Sequence, residues 1–300
     1  MVDSTEQALI DIQKQLPDDL ALQEQFEVFL KIYKKKARRT DKIFKQSDRQ
    51  QHILIELNNK ISQQKEELHQ LHSYNIEQQN IAKEKLETTI ANEIEETSHL
   101  KADVIYHPSD ILSGDFYSIF KLKDGSFLVY ILDGQGHGIS PALTIFAVAS
   151  TIASLVSVVE NFEELIQKLF PMIQKFLGEI EQLSFIMLNI DCNQETLAYS
   201  AGGTYPVFVK LQEEILTLKS NNLPFMNFSP TPKITTHSIA GWESFILYTD
   251  GLVEEIEEEL SEFKPIALLE NDELFHKAYE TIIQNSYEDD VTILKISKKG

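Results

Sequence analysis

Four aspartate-containing segments stand out because each places an acidic side chain beside a glycine or at the end of an apolar run. They are Asp115 in SGDFYS, Asp133 in YILDGQGHG, Asp250 in FILYTDGL and the pair Asp289 and Asp290 in YEDDVTIL. A side chain at a strand end projects from the edge of a sheet, and a neighbouring glycine lets the backbone approach a ligand closely. Each aspartate alone is typical of a turn. Four of them flanked by strand-like runs predict a shared site.

Carboxylates that share a site need cations. Two like charges about 4 Å apart repel by roughly 4 kcal/mol at an effective dielectric constant of 20. No histidine or cysteine motif accompanies these aspartates, and an all-oxygen donor set selects Mg²⁺ or Mn²⁺ rather than zinc. Two such ions about 3.5–4 Å apart can share an activated water and hold a phosphoryl group. The predicted chemistry is therefore metal-assisted hydrolysis of a phosphate ester.

The part of the chain after Pro108 alternates strand-like and helical runs. Turn residues bound several of the β-rich runs, which are 126–132, 184–190, 196–200, 207–211, 244–248 and 291–296. Helical patterns cover 141–159, 162–177 and 273–285. Strands interleaved with paired helices and joined mostly by short turns predict an α+β sandwich of antiparallel sheets.

The part before Pro108 has a different composition, since neither glycine nor proline occurs between Pro17 and Pro108. Such a stretch predicts a few long helices. A seam with steps of three and four predicts a parallel coiled coil. Its apolar positions are Leu54, Leu57, Ile61, Leu68 and Leu71, with Gln64 at one seam position; the register is interrupted around 74–79 and resumes loosely from Ala82. A helical hairpin that packs on itself is the alternative.

Eight basic residues lie within 31–45. A basic helix can contact DNA or anionic lipid, but more often it is a solvated face or docks on an acidic surface. The net charge of −20 argues against nucleic acid binding over the whole surface. The single cysteine, Cys192, excludes a disulfide scaffold. No basic segment followed by an apolar core marks the N-terminus, which favours a cytoplasmic protein.

One uncharged run, 134–159, is long enough to span a bilayer. It contains six serine and threonine residues, and its start is rich in glycine. These features favour a helix buried between protein layers, so we expect no membrane span.

The segments SGDFYS, LDGQGHG, LYTDG and DDVT, in this order and spacing, resemble the metal-dependent Ser/Thr protein phosphatases of the PPM type, in particular the bacterial SpoIIE/RsbU-like branch. The resemblance covers roughly 94–296. It implies a β-sandwich with helices on both faces, two Mn²⁺ or Mg²⁺ ions, and dephosphorylation of phosphoserine or phosphothreonine. It divides the chain into a helical regulatory or dimerisation region, 1–93, and a phosphatase domain, 94–300.

By this resemblance, Asp133 bridges both metals and Gly134 offers its backbone carbonyl to one of them. Asp115 binds the metal on the side of its own loop, partly through water. The attacking group is a metal-activated water, so no side chain acts as a covalent nucleophile.

The resemblance assigns the other metal's remaining ligands to Asp250 and Asp289. Asp290 could orient Asp289 or take its place, because the register across the pair is open. The implied substrate is a phosphorylated regulatory protein similar to an anti-sigma-factor antagonist, and the N-terminal helices imply a homodimer.

This chain departs from the family pattern at three places. Ser118 stands where a second acid is common, Gln135 where a serine is common, and Gly203 where an NAGHPP-like segment has histidine. His137 is a candidate general acid, with a loop histidine as the alternative. None of the departures removes an expected ligand. The alternative function is a non-catalytic adaptor with a phosphatase fold.

The acidic run 254–262 follows the Asp250 segment. It is either an acidic rim of the site or, as we expect, a solvated helix start or loop.

Overall fold

The computed structural model describes residues 2–15, 20–89, 99–136, 138–175, 177–257 and 262–299. By their internal contacts the residues form two compact units, Met1–Tyr74 and Asn75–Gly300. The boundary predicted between 93 and 94 lies in a segment outside the described ranges and stays a prediction.

The N-terminal part is helical, as predicted. Helix α1 spans Val2–Gln13 and helix α2 spans Leu20–Thr89, which is 70 residues without a break. No turn interrupts 20–89, so a hairpin within this range is wrong. Every position of the apolar seam is at least half exposed. The pairing of this seam with a second copy stays a prediction.

Ten strands and four further helices form the second unit across its described residues. The strands are β1 (Leu100–His107), β2 (Asp115–Lys121), β3 (Phe127–Gly134), β4 (Leu183–Asp191), β5 (Thr196–Gly202), β6 (Val207–Leu211), β7 (Ile215–Leu218), β8 (Thr235–Ser238), β9 (Trp242–Tyr248) and β10 (Val291–Lys298). The helices are α3 (Ile139–Val156), α4 (Phe162–Ile173), α5 (Pro265–Glu270) and α6 (Asp272–Gln284). A short π-helical segment, Leu252–Glu257, follows β9.

The strands form two five-stranded antiparallel sheets, which confirms the predicted sandwich. One sheet has the order β2-β3-β4-β5-β8 and the other the order β1-β10-β9-β6-β7. All six predicted runs coincide with strands, and the three predicted helical stretches coincide with α3, α4 and α6. Strands β1, β2, β7 and β8 and helix α5 fall outside the predicted runs.

The central strand β3 shows how the layers follow from sequence. Because side chains alternate across a strand, Val129 and Ile131 face the core between the sheets, while Leu128, Tyr130 and Leu132 face α3 and α4. Both faces are buried, which explains the continuous apolar run. A third cluster joins α5 and α6 to the outer face of the other sheet. The order of layers is helices, sheet, sheet, helices.

Helix α3 passes the length and hydropathy test for a membrane span; no other helix among the described residues does. One of its faces packs in the core with α4 and the first sheet, through residues that include Ile145, Val148 and Ile152. The opposite face is partly exposed, with Leu143 at 52%. This one-sided burial is typical of a core helix on a sheet.

We expect Val148→Asp, which buries an unpaired charge at a fully buried position of α3, to lower the free energy of unfolding by about 3 kcal/mol or more. Leu143→Asp, on the exposed face of the same helix, should change it by less than about 0.5 kcal/mol. Urea unfolding followed by circular dichroism measures both. Equal tolerance of the two variants would contradict the core role of α3.

Candidate metal centre

The hairpin of β2 and β3 brings the first two aspartates together. In the antiparallel register Asp115 lies directly opposite Asp133, and Asp133 lies opposite Ser184 on β4. The hairpin end is closed by the Gly134 amide, which donates to the Gly114 carbonyl at 3.0 Å. Residues 115 and 133 therefore occupy one end of the first sheet, on the face that carries Ile131 into the core between the sheets.

Two threonines of the second sheet hold the Asp115 carboxylate. Its Oδ2 accepts hydrogen bonds from Thr249 Oγ1 at 2.8 Å and from Thr292 Oγ1 at 2.6 Å, and all three residues are buried. Thr292 also donates its backbone amide to Thr249 Oγ1 at 3.0 Å. Neither threonine is predicted as a site residue from the sequence, although both stand inside the LYTDG and DDVT segments.

Asp290 anchors the loop that leads into β2. Its two oxygens accept four hydrogen bonds: from the Ser109 amide and hydroxyl at 2.6 and 2.9 Å, from the Ser113 hydroxyl at 2.9 Å, and from the Gly114 amide at 2.6 Å. The residue is buried. This arrangement fixes the loop before Asp115, and it engages both oxygens of Asp290. Ligation by Asp290 itself stays a prediction.

A close approach of two backbones brings the remaining aspartates together. A β-carbon at Gly251 would overlap the carbonyl oxygen of Asp290, so only glycine fits after Asp250 at this distance. Asp250 follows β9, and Asp289 precedes β10, which is the strand paired with β9. The two carboxylates raise each other's energy enough that Asp289 contributes to the upward shift of the Asp250 pKa.

The electrostatics show that the carboxylates share one environment. Burial raises the pKa of Asp133 to about 8, and the neighbouring charges of Asp250, Asp289, Asp290 and Glu254 add to the shift. Burial is likewise the main cause that raises the pKa of Asp115 well above its usual range, followed by the charge of Asp133. Burial, Asp289 and Glu254 raise the pKa of Asp250.

Glu254 is a further acidic residue of this site. It lies in the π-helical segment after Asp250, and its Oε1 accepts a hydrogen bond from the Tyr205 hydroxyl at 3.3 Å. From the sequence, we expect a solvated helix start or loop at 254–262. The described part of that run instead brings Glu254 close enough to perturb Asp133 and Asp250. Residues 258–261 lie outside the described ranges.

The chemistry of this donor set fits hard divalent cations. It consists of carboxylates and backbone carbonyls, and the neighbouring charges that act most strongly on Asp133 are all negative. A small cavity of about 10 Å³ lies beside Asp133 and Asp250, and the Thr204 hydroxyl on its wall is buried without a hydrogen-bond partner. The backbone also approaches closely at Gly114, since a β-carbon there would lie 3.2 Å from the Gly134 carbonyl oxygen.

The types of donor atom suit such ions, but the side chains are not arranged as a complete coordination shell. Among the described residues, no three His, Cys, Asp or Glu side chains stand close enough together to hold a metal ion. The assignment of individual ligands to Asp115, Asp133, Gly134, Asp250 and Asp289 thus stays a prediction.

The departures from the expected pattern have different locations. Ser118 lies opposite Tyr130 in the β2–β3 register and is fully buried on the side of α3 and α4, away from Asp115. Gln135 is exposed, directly after Gly134. His137 lies outside the described residues, so its role as a general acid stays a prediction.

Comparisons with known proteins point in one direction. The family model described as stage II sporulation protein E (SpoIIE) matches residues 123–299, which is more than half of the chain. A search of curated proteins found no match.

Solved structures share the fold at low sequence identity. The SiaA-PP2C domain of Pseudomonas aeruginosa matches with a TM-score of 0.55 and 17% identity, over 76% of this chain and 98% of that one. The RsbU and RsbW domains of Rv1364c from Mycobacterium tuberculosis match with 0.53 and 17%, over 67% of this chain and 60% of that one. The PP2C phosphatase domain and regulatory fragment of SpoIIE from Bacillus subtilis match with 0.50 and 17%, over 66% and 63%. The chain thus spans less than two thirds of the Rv1364c and SpoIIE structures.

The raised pKa of Asp133 predicts a pH dependence of stability in the absence of divalent cations. The native carboxyl, with its pKa of about 8, keeps its proton at pH values where the unfolded carboxyl, with an ordinary pKa near 4, has lost it. Stability should therefore fall as the pH rises from 6 to 9. Asp133→Asn removes this titration and should be more stable than the wild type at pH 9 by roughly 1–3 kcal/mol.

Thermal unfolding in a chelating buffer at pH 6 and pH 9 measures this difference. Asp103→Asn is the matched control, because Asp103 lies on β1 and pairs with Lys101. The control should keep the wild-type slope. An Asp133→Asn protein with the wild-type slope would show that this carboxyl does not carry the effect.

Proposed function

The chain belongs to the SpoIIE family, and on that premise we propose that it is a metal-dependent protein phosphatase that hydrolyses phosphoserine or phosphothreonine on a regulatory protein. One observation carries the proposal: the pKa values of Asp115, Asp133 and Asp250 are all raised at one end of the sandwich, and a neighbouring aspartate contributes to each shift, Asp133 to that of Asp115 and Asp289 to those of Asp133 and Asp250. We further propose a cytoplasmic location for this activity.

In this proposal two Mn²⁺ or Mg²⁺ ions neutralise the carboxylates and, when bound, supply the Lewis acidity that activates water and polarises the phosphoryl group. Asp133 would hold both ions and the Gly134 carbonyl one of them, Asp115 would hold the ion beside its loop, and Asp250 and Asp289 would hold the other. Asp290 is available as a positioning residue for the loop before Asp115, because its oxygens already accept hydrogen bonds from that loop.

The residues around Asp115 keep its carboxylate in a single orientation. Thr249 and Thr292 both donate to Oδ2. Oδ1 of Asp115 therefore takes no part in these two hydrogen bonds, and in this proposal it is the oxygen that faces the cation. Such fixed orientation lowers the cost of arranging ligands when a cation binds.

The chain's one cysteine does not support a covalent mechanism. Cys192 follows β4, eight residues beyond Ser184 at the Asp133 end, so it lies roughly 26 Å along the strand from the carboxylates. Burial also raises the pKa of its thiol, which disfavours the nucleophilic thiolate.

The substrate class rests on family likeness. The Rv1364c structure combines an RsbU domain with an RsbW domain, which supports a phosphorylated partner from a similar switch, such as an anti-sigma-factor antagonist. The net charge of −20 disfavours nucleic acid as the partner.

A non-catalytic adaptor is the second candidate. It is favoured by the spacing of the acidic side chains, no three of which form a metal cluster within the described part of the chain. Calorimetric titration with Mn²⁺ separates the two: an adaptor binds weakly or not at all, whereas the phosphatase binds ions with a loss of affinity in Asp133→Asn.

Activity is tested on the full chain with p-nitrophenyl phosphate and Mn²⁺ or Mg²⁺. We expect cation-dependent hydrolysis, and a decrease in kcat/KM of at least about 100-fold in Asp133→Asn and in Asp250→Asn, because each loses a charged ligand. Asp103→Asn should stay within about twofold. Absent turnover in the wild type with either ion, or retained turnover in Asp133→Asn, would refute the phosphatase.

The regulatory part of the proposal is that α2 pairs with α2 of a second copy through its exposed apolar seam. Replacing Leu68 and Leu71 together by glutamine should convert a dimer to a monomer in sedimentation equilibrium. The reason is that the two substitutions remove apolar side chains that would pack between the paired helices. Ile55→Gln is the matched control, since Ile55 is equally exposed but one position off the seam. A monomeric wild type would contradict the pairing.

A further inference from the structure

An apolar groove lies next to the proposed metal centre, at the end of β3. It has a volume of about 570 Å³, and its walls include Gly134, Gln135, Pro141, Thr144, Ile180 and Gln182. Gly134 follows Asp133 directly, and the Gln135 amide donates to the Gln182 carbonyl at 3.4 Å. The groove is thus continuous with the end of β3 that carries the carboxylates.

The two walls of the groove come from different elements. Pro141 and Thr144 lie in the first turns of α3, which rests directly on the strand end: a β-carbon at Gly134 would lie 3.1 Å from Pro141 Cβ. Ile180 and Gln182 lie in the turn before β4. Helix α3 packs in the core, and the turn is flanked by two residues of the same core cluster, Leu177 and Leu183.

Ile180 is the most exposed of the large apolar side chains in the described part of the chain, at 85%. Leu223 follows at 84% and flanks the centre on another side. The next residue, Pro224, contacts the position that a β-carbon at Gly203 would occupy, and Ser184 Oγ is 3.0 Å from the same position. Exposed apolar side chains gathered around a site mark an interaction surface.

The charges at the groove indicate what it can bind. Among the described residues, no lysine or arginine lines it, and the one acidic residue there, Glu181, already accepts a hydrogen bond from the Gly178 amide at 2.8 Å. The chain as a whole is strongly acidic. An acidic segment would find no counter-charge in the groove, whereas an aliphatic side chain would bury apolar surface against Ile180 and Pro141.

We propose that this groove is a specificity subsite that takes an aliphatic side chain of the phosphorylated partner protein, within three residues of its phosphoserine. The proposal rests on the proposed phosphatase function. An extended chain advances about 3.3 Å per residue, so a residue one to three positions away from the phosphoserine reaches roughly 3–10 Å from it. Gly134 in the groove wall directly follows Asp133 in the chain, so we place the subsite within this reach. Ile180 is the residue that sets the preference.

The test uses the full chain and phosphoserine nonapeptides that carry either leucine or serine at each of the three positions on both sides of the phosphoserine. At one position we expect leucine to raise kcat/KM about tenfold, since one aliphatic side chain becomes buried. In Ile180→Ser this preference should fall below about twofold, while hydrolysis of p-nitrophenyl phosphate stays unchanged. Ile180→Met should retain the preference.

Ile283→Ser on α6 is the matched control, since Ile283 is also exposed but does not line the groove. It should behave as the wild type. No leucine preference at any position, or a preference that survives in Ile180→Ser, would overturn the subsite. So would a change of sedimenting mass in Ile180→Ser without a change of preference, because the groove would then be an interface between copies.

Binding of the same peptides, labelled with fluorescein and measured by anisotropy on the Asp133→Asn variant, makes the result independent of turnover. We expect a tenfold difference in Kd between the leucine and serine peptides on Asp133→Asn, and no difference on the double variant that also carries Ile180→Ser. This result supports the subsite even if the wild type hydrolyses nothing. Equal Kd values overturn it even if hydrolysis of p-nitrophenyl phosphate succeeds. Failure of the subsite and failure of the phosphatase are therefore separate results.

Discussion

Mutual repulsion of partly buried carboxylates is the constraint around which this end of the molecule is built. Asp133 feels the charges of four other acidic residues, and burial strengthens each of these interactions by lowering the local dielectric. A chain tolerates such an arrangement only if the rest of the fold stabilises it. The large core on both faces of β3 supplies that stability, and the accumulated negative potential is what makes the place suited to divalent cations.

The fold sets the position of each carboxylate by a different device. Strand register aligns Asp115 with Asp133, and four hydrogen bonds to Asp290 fix the loop before β2. A glycine permits the contact between the Asp250 turn and the backbone at Asp290. These devices lie far apart in sequence and meet because the two sheets face each other.

Much of the fold could be predicted from sequence, since a long apolar run by itself indicates a buried strand, as in β3, β4 and β9. Strands β1 and β2 could not, because LKADVIYH and DFYSIFK mix polar and apolar residues at positions whose burial depends on the partner sheet. The aspartate segments were recognisable by their glycines and strand ends. Thr249, Thr292 and Glu254 were not, because hydroxyl and carboxyl side chains next to a turn have no local pattern that reveals a partner more than a hundred residues away, as in the bond from Thr249 to Asp115.

The hydrogen bonds to Asp115 join the two sheets of the sandwich, since Asp115 belongs to one sheet while Thr292 belongs to the other. Hydrogen bonds of 2.6–2.8 Å lose strength steeply when their length or angle changes. A sliding displacement of one sheet over the other, even by a fraction of an ångström, is therefore converted directly into a reorientation of this carboxylate. Mechanical shear of the sandwich and the alignment of its acidic end are thus coupled through the Asp115 side chain.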